Sequence, residues 1–195
     1  MRPSLSFEQY RSLDLFFFTV MTFLAELGIT MAASKWFPDQ LYTVSVTAAL
    51  TAIVVMRWKG FAMIQAVAGA LALSLGMGAS PKQILIYCLG NLFSVGAVFL
   101  RRAAGEKRIR ENVVWTLGFG VMTLFLMQTG RAVVAGLLGS SLREMMAFYA
   151  TDSLSYVFTA VILWIARRQD GIFEDQKAYL LRMQEEREAE RESNF

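Results

Sequence analysis

The sequence contains no histidine and one cysteine among its 195 residues. Without histidine, the chain lacks the commonest metal ligand and the commonest general base. Cys88 has no second cysteine with which to form a disulfide bond within the chain. These absences argue against a metal-dependent enzyme and against histidine-based catalysis.

The chain also lacks the short motifs that identify common active sites. It contains no G-x-S-x-G, no H-E-x-x-H and no Walker A sequence. The acids Asp170, Glu174 and Asp175 lie close together in sequence, but their spacing puts them on several sides of a helix. We therefore expect no catalytic residue and no cofactor, and any active transport would take its energy from another chain.

What the sequence does contain is long apolar runs, with 55% hydrophobic residues overall. A helix of about twenty apolar residues spans a bilayer, so the runs predict an all-α integral membrane protein. We expect a compact bundle of six transmembrane helices over residues 13–168, after an N-terminal lead of residues 1–12. A charged amphipathic helix, residues 169–195, follows the bundle. The predicted spans are residues 13–34, 41–56, 61–77, 84–100, 113–127 and 145–166.

Basic residues are distributed unevenly between the two ends of these spans. One end collects eleven Lys and Arg residues and the other end collects four. Basic loops stay in the cytoplasm, so the asymmetry predicts that both termini are cytoplasmic and that the connector at residues 128–152 is outside. We expect a multi-pass protein of a bacterial plasma membrane whose basic loops contact anionic lipids rather than nucleic acid.

Polar and aromatic residues gather in the outer half of the predicted bundle. A carboxylate near the bilayer core costs about 3 kcal/mol, so Glu26 and Asp152 should face a cavity or a partner. An apolar pocket with a few convergent polar groups is typical of a small-molecule site. The alternative is a purely structural ion pair between Arg131 and Asp152. The candidate ligand-binding residues are Glu26, Trp36, Tyr87, Asn91, Gln128, Arg131, Asp152 and Tyr156.

Two other features indicate contacts with partners. Small residues recur at helical spacing in the third span, as at Ala66 and Ala70, and allow close helix packing. The C-terminal helix has an apolar face that includes Phe173, Tyr179 and Leu180. That face predicts docking onto the membrane or another protein, with a solvated terminal helix as the alternative.

Six short spans, cytoplasmic ends and polar groups in the outer half resemble the substrate-binding (S) components of energy-coupling factor transporters. The resemblance covers residues 13–168 and rests on architecture. It implies a subunit that binds a vitamin-like or polar heterocyclic molecule from outside and couples to a transmembrane subunit and two ATPases. Small residues on the first and third spans would then dock that coupling subunit: Ala25, Gly28, Ala32, Ala66 and Ala70.

The chain departs from that family pattern at two places. Phenylalanines occupy positions 16–18, where the resemblance would place small residues, and the charged C-terminal helix is longer than such a subunit needs. These departures favour an alternative function. The chain would then be a non-catalytic membrane scaffold or accessory subunit that recruits a partner through its C-terminal helix.

Overall fold

The structure is a computed structural model that describes residues 6–37, 39, 42–169 and 171–193. Residues 1–5 of the predicted N-terminal lead lie outside this range, and residues 7–12 of the lead are helical. All regular secondary structure in the described residues is helical. The α-helices are α1 Phe7–Trp36, α2 Thr47–Trp58, α3 Met63–Gly76, α4 Pro81–Asn91, α5 Gly96–Ala104, α6 Glu106–Glu111, α7 Val113–Leu137, α8 Leu142–Thr151, α9 Ser153–Ala166 and α10 Gln176–Ser193.

Five helical stretches in the described residues are long and apolar enough to cross a membrane, as expected for a multi-pass membrane protein. The first is α1, and the fourth is α7. The others join two shorter helices each: α2 with α3, α4 with α5, and α8 with α9. Their bounds are Phe7–Trp36, Thr47–Gly76, Pro81–Ala104, Val113–Leu137 and Leu142–Ala166.

The second stretch, Thr47–Gly76, is a hairpin rather than a straight helix. A Cβ atom on Gly69 would overlap the side chain of Thr47, so α2 and α3 lie against each other. A straight helix would place residues 47 and 69 about 33 Å apart. The chain reverses at Lys59, whose φ is 55°, and continues through a short 3₁₀ turn, Lys59–Ala62. The two helices therefore run antiparallel to each other.

Helix α2 lies at the centre of the bundle. Every residue of α2 except Leu50 is buried, and the helix packs against α1, α3, α5, α7 and α9. Its residues are mostly Ala, Val, Thr and Ile, which allow close approach of neighbours on all sides. The predicted second span began at residue 41, but residues 42–46 have no regular secondary structure and the helix starts at Thr47.

Helices α4 and α7 cross with their backbones in contact. A Cβ atom on Gly130 would overlap the carbonyl oxygen of Gly90, and one on Gly90 would overlap the backbone of Arg131. Only glycine permits this approach, because any other residue would push the two backbones apart. The crossing brings Asn91 and Arg131 next to each other.

Helix α7 is longer than predicted. The sequence places its end at residue 127, but the helix continues to Leu137, so Gln128 and Arg131 lie on a helix and not in a connector. A short turn follows, and Ser141 then caps α8, accepting from the backbone N–H of Glu144 at 3.3 Å. Helices α8 and α9 meet at Asp152. Arg131 and Asp152, two of the polar residues that suggested a loop, instead pair with each other inside the bundle, whereas Arg143 and Glu144 are exposed.

The two ends of the bundle differ in composition. The basic end holds the start of α1, the turn between α2 and α3, the corner between α5 and α6, and residues 171–175, which we name the tail root. These elements meet through Tyr10, whose hydroxyl donates to Oε1 of Gln176 at 3.1 Å, and through Arg57, whose Nη1 donates to the carbonyl of Gly171 at 3.2 Å. The far end, at the opposite side, holds the non-helical residues 42–46 and the break between α8 and α9.

Candidate binding site

Arg131 and Asp152 form a fully buried ion pair toward the far end of the bundle. Nη1 of Arg131 donates to Oδ2 of Asp152 at 2.8 Å, and each side chain is 2% exposed. Nε of Arg131 donates to Oδ1 of Asn91 at 2.8 Å, and the guanidinium lies 4.7 Å from the ring centroid of Tyr87. The amide of Asn91 in turn donates to the carbonyl of Ala66 at 3.0 Å. One cation therefore ties α3, α4, α7 and the start of α9 together.

The second carboxylate oxygen of Asp152 accepts hydrogen bonds from two hydroxyl groups. Thr43 donates through Oγ1 at 2.8 Å and Ser155 donates through its Oγ at 2.7 Å. The backbone N–H of Ser45 donates to Oγ of Ser155 at 3.0 Å, and the backbone N–H of Thr43 donates to the carbonyl of Thr151 at 2.8 Å. These bonds fasten the non-helical residues 42–46 to the break between α8 and α9.

Glu26 caps the first turn of α2 from the neighbouring helix α1. Its Oε2 accepts from the backbone N–H groups of Val46 at 2.9 Å and Thr47 at 3.1 Å, and from Oγ1 of Thr47 at 2.9 Å. A carboxylate at a helix N-terminus satisfies backbone donors that have no partner within the helix. Glu26 is fully buried, and its Oε1 has no hydrogen-bond partner within the described part of the chain.

These groups form one continuous set, which we call the polar network. The backbone N–H of Thr47, which donates to Glu26, also donates to Oγ of Ser45 at 3.3 Å and so connects Glu26 with the Ser155 side of the network. The members are buried except Thr43, which is half-buried. The network consists of Glu26, Thr43, Ser45, Thr47, Asn91, Arg131, Asp152 and Ser155.

Of the remaining candidate residues, Gln128 and Tyr156 lie close to the polar network and Trp36 lies at the protein surface. Gln128 is fully buried and its Oε1 accepts from the hydroxyl of Tyr156, close to the polar network. Its amide nitrogen has no hydrogen-bond partner among the described residues. Trp36 is 72% exposed at the end of α1, so the structure separates it from the other candidates. An indole near the end of a spanning helix is typical of the membrane interface, which explains its position.

A pocket of about 490 Å³ opens at the far end beside the polar network. Thr43 and Tyr87 belong to its wall, and both also contact the Arg131–Asp152 pair. More than half of the wall residues carry a hydroxyl group, and no wall residue is charged. The pocket suits a small polar molecule. Its wall consists of Thr30, Ala33, Ser34, Phe37, Tyr42, Thr43, Val44, Leu73, Met77, Tyr87 and Thr151.

Sequence reasoning missed the hydroxyl groups of residues 43–47. The segment reads Thr-Val-Ser-Val-Thr, an alternation of polar and apolar residues with the period of extended chain. That alternation was the available signal, but the surrounding apolar run favoured a helix. Ser155 was also missed, because a serine in a transmembrane helix usually bonds its own backbone.

The small residues predicted to dock a partner occupy different environments. Ala66 and Ala70 are fully buried within the bundle, so they have no surface to offer another protein. They pack there because α3 lies between α1 and α2, and the carbonyl of Ala66 also accepts from Asn91. On α1, Ala25 and Ala32 are half-buried and Gly28 is exposed.

The tail root is packed into the basic end of the bundle. Phe173 is 2% exposed and belongs to the apolar core that includes Trp58 and Ile109. Phe173 is therefore not available to a second protein, contrary to its predicted docking role. The sequence could not show this, because the same apolar residue fits a surface face or a core position.

Asp175 carries the charge that fastens the tail root. Its Oδ2 accepts from Nη2 of Arg101 at 2.8 Å and from Nζ of Lys59 at 2.9 Å. Burial raises the pKa of Asp175, but the hydrogen bonds from Lys59 and Arg101 outweigh that effect and hold its pKa below the ordinary value. Its Oδ1 accepts from the backbone N–H groups of Lys177 and Ala178 and so caps α10.

Beyond the tail root, α10 leaves the bundle gradually. Tyr179 and Leu180 are half-buried, and Leu180 packs against the main core. Leu181 is 48% exposed. The predicted apolar face thus meets the chain's own bundle at its start and becomes exposed further along the helix.

No group of three or more potential metal ligands occurs in the described ranges. No protein-family model, no curated protein and no solved structure matches this chain. The pocket and the polar network therefore have to be interpreted from their own chemistry.

Proposed function

We propose that this chain is a membrane-embedded substrate-binding subunit that captures a small polar heterocyclic molecule and passes it to an ATP-driven transport complex. One observation carries the proposal: the far-end pocket of about 490 Å³, with its hydroxyl-rich wall beside the buried Arg131–Asp152 pair. A pocket of this size fits a molecule the size of a vitamin.

The lining of the pocket narrows the class of ligand. The wall offers hydroxyl groups from Thr30, Ser34, Thr43, Tyr87 and Thr151 and no charged side chain. Arg131 and Asp152, which contact the wall residues Tyr87 and Thr43, already pair with each other. An uncharged heterocycle with several donors and acceptors would therefore suit the wall better than a zwitterion, whose charges would find no free counter-ion there.

A six-pass topology supports entry of the ligand from outside. The hairpin of α2 and α3 counts as two passes, because the chain reverses between them. With six passes, both termini belong on the same side of the membrane, and eleven of the fifteen basic residues before the tail belong there too. The positive-inside rule then assigns the basic end to the cytoplasm of a bacterial cell and the pocket to the outside.

Transport would need a partner chain that supplies energy. The sequence contains no phosphate-binding loop for ATP. In the proposed assembly a transmembrane coupling subunit would dock on the exposed and half-buried small residues of α1, namely Ala25, Gly28 and Ala32. Small residues on a lipid-facing helix allow another helix to approach closely.

A scaffold function is the second candidate, and the tail root favours it. Phe173 and Asp175 anchor the start of α10 firmly in the bundle, so the helix has a fixed point of departure from the basic end. Its later residues are mostly charged and do not need the bundle. Such a helix is suited to hold a partner protein at a set position.

The proposal is tested by thermal unfolding of the purified full chain in the presence of uncharged heterocycles such as nucleobases and pyridine amides. A ligand at a hundred times its dissociation constant should stabilise the protein by about 2.7 kcal/mol. Ser34→Phe should abolish that gain, because Ser34 lines the pocket and its hydroxyl bonds only its own helix. Met31→Phe, which places the same ring on the exposed side of α1, is the control.

The same experiment separates the two candidate functions. If one class of solute stabilises the wild type and Met31→Phe but not Ser34→Phe, the binding function is supported. If no solute raises the unfolding temperature, and truncation after Met183 releases a co-purifying protein, the scaffold function is supported instead. That truncation keeps the tail root intact, so loss of the partner would not reflect damage to the bundle.

A further inference from the structure

A second, apolar groove lies at the basic end of the bundle, away from the proposed binding pocket. It has a volume of about 320 Å³ and lies between α5, α6 and α7. Leu100, Trp115, Phe119 and Met122 line it, and none of its lining residues is charged. Trp115 is 43% exposed and Met122 is 41% exposed, so the groove opens on the outer surface of helices that are apolar enough to span a membrane.

A basic side chain lies at the mouth of this groove. Arg108, on α6, is exposed and forms no ion pair in the described part of the chain. The guanidinium of Arg108 lies 5.3 Å from the ring centroid of Trp115. A cation stacked on an indole that itself lines the groove places positive charge directly over the apolar surface.

The acidic residues of this corner are already held by other arginines. Glu106 accepts from Nη2 of Arg101 at 2.5 Å, and Glu111 lies 4.0 Å from Nη2 of Arg110. Arg110 also lies 3.9 Å from Glu174. These pairings leave Arg108 without an acidic partner in the described part of the chain.

We propose that this groove is a binding site for one anionic phospholipid. An acyl chain would lie against Trp115, Phe119 and Met122, and the phosphate would bind Arg108. An apolar groove alone would accept the chain of any lipid, but Arg108 at its mouth selects an anionic headgroup by charge complementarity. A tryptophan beside an arginine is also typical of the headgroup level of a membrane. The inference rests on the chain spanning a membrane and not on its proposed function.

The test is quenching of tryptophan fluorescence by brominated lipids in vesicles of phosphatidylcholine that contain the full chain. In the variant Trp36→Phe/Trp164→Phe the emission comes from Trp115 and from the buried Trp58. Brominated phosphatidylglycerol should associate with Trp115 more strongly than brominated phosphatidylcholine at equal mole fraction. A preference of about fivefold for each contacting basic residue is expected.

The basic end provides a matched control. Trp164 is 44% exposed, and the guanidinium of Arg168 lies 4.0 Å from its ring centroid. Trp164 does not line the groove. In the variant Trp36→Phe/Trp115→Phe, the remaining exposed indole is Trp164. The two brominated lipids should quench its fluorescence equally. Arg108→Gln should remove the preference at Trp115, and Arg168→Gln should leave it unchanged.

Two results would overturn the proposal. Equal quenching of Trp115 by the two brominated lipids would show that the groove does not select a headgroup. An equal preference for phosphatidylglycerol at Trp164 would show that the basic end merely attracts anionic lipid in general. The substituted arginines are exposed, so the variants are expected to fold, which an unchanged size-exclusion profile would confirm.

Discussion

The two ends of the bundle both bury arginine–aspartate pairs, but they surround these pairs in different ways. At the far end, Arg131 and Asp152 are each 2% exposed, and their other partners are neutral amide and hydroxyl groups. At the basic end, Arg101 contacts both Asp175 and Glu106, and Asp175 also contacts a partly exposed lysine. The far end therefore depends on one isolated ion pair, and the basic end shares its charges among several groups.

This difference has an energetic consequence. A buried charge that loses its only counter-ion is costly, since neutral dipoles and little water are left to stabilise it. In a network of several charges near the surface, the remaining groups and water compensate part of the loss. The comparison predicts that single substitutions at the far end destabilise the fold and that those at the basic end mainly release the tail.

The largest effect is expected for Arg131→Met. The substitution leaves Asp152 without a cation inside the bundle, which should lower the free energy of unfolding by about 3–5 kcal/mol. Denaturant unfolding of the protein in detergent would measure it. The double variant Arg131→Met/Asp152→Leu removes both charges and should recover much of the loss.

The matched substitution at the basic end is Arg57→Met, which breaks the 2.7 Å ion pair with Asp14. The nearby indole of Trp58 still donates to Asp14, at 2.5 Å, and the pair is 10% and 15% exposed. We expect a loss of about 1–3 kcal/mol. Equal losses for Arg57→Met and Arg131→Met would remove the distinction between the two ends.

A smaller effect at the far end should come from Gly130→Ala. The added methyl group would overlap the backbone carbonyl of Gly90, which cannot move like a flexible side chain. Overpacking of this kind costs about 1–3 kcal/mol and should also displace Arg131 from Asn91.

Gly118→Ala is its control on the same helix. A methyl group at Gly118 meets no atom within 4 Å, so only the helix propensity changes. Alanine should stabilise α7 there by up to about 1 kcal/mol. The unfolding temperature should fall for Gly130→Ala and rise for Gly118→Ala. Shifts in the same direction would show that the contact between α4 and α7 is not tight.

Parts of this arrangement could be predicted from the sequence. The apolar runs gave the helical bundle, and the cost of burying charge indicated that Glu26, Asn91, Arg131 and Asp152 should lie near one another. The structure connects these four residues through a single set of hydrogen bonds. Their proximity could be predicted because the free-energy cost of an isolated charge in a membrane does not depend on the details of packing.

Other parts could not be predicted, for reasons that are also physical. Residues 42–46 are not helical, because Thr43 and Ser45 bond to Asp152, Thr151 and Ser155, which lie more than a hundred residues away in sequence. A short apolar run fits a helix or a strand equally well until such partners are known. Phe173 likewise fits a surface or a core until the position of the tail root is known.

The smallest effect is expected at the tail root, for Asp175→Asn. Asparagine can still cap α10, so the substitution removes the charge and preserves the cap. The loss should be about 1 kcal/mol, because Lys59 is partly exposed and Arg101 keeps Glu106 as a partner. Hydrogen exchange of residues 171–176, corrected for the intrinsic rate, would report the release of the tail root.

The charge of Asp175 also makes the protection of the tail root depend on pH, which tests whether shared charge fastens the basic end. Its pKa in the folded state lies below the ordinary value, so its contribution is complete at neutral pH and is lost as the pH falls through the folded pKa. Protection of the tail root should thus stay constant between about pH 7 and pH 5 and decline below about pH 4. In Asp175→Asn, the tail root should be less protected at pH 7, and the loss of protection caused by protonation of Asp175 should be absent. Glu174→Gln is the control, because the short ion pair of Glu174 is with the exposed Arg182 and its contact with Arg110, which is also exposed, is 3.9 Å long. This variant should retain most of the wild-type profile. Equal protection of Asp175→Asn and the wild type at pH 7 would mean that the charge of Asp175 does not fasten the tail root. Phe173 and the hydrogen bond from Arg57 to the carbonyl of Gly171 would then hold it.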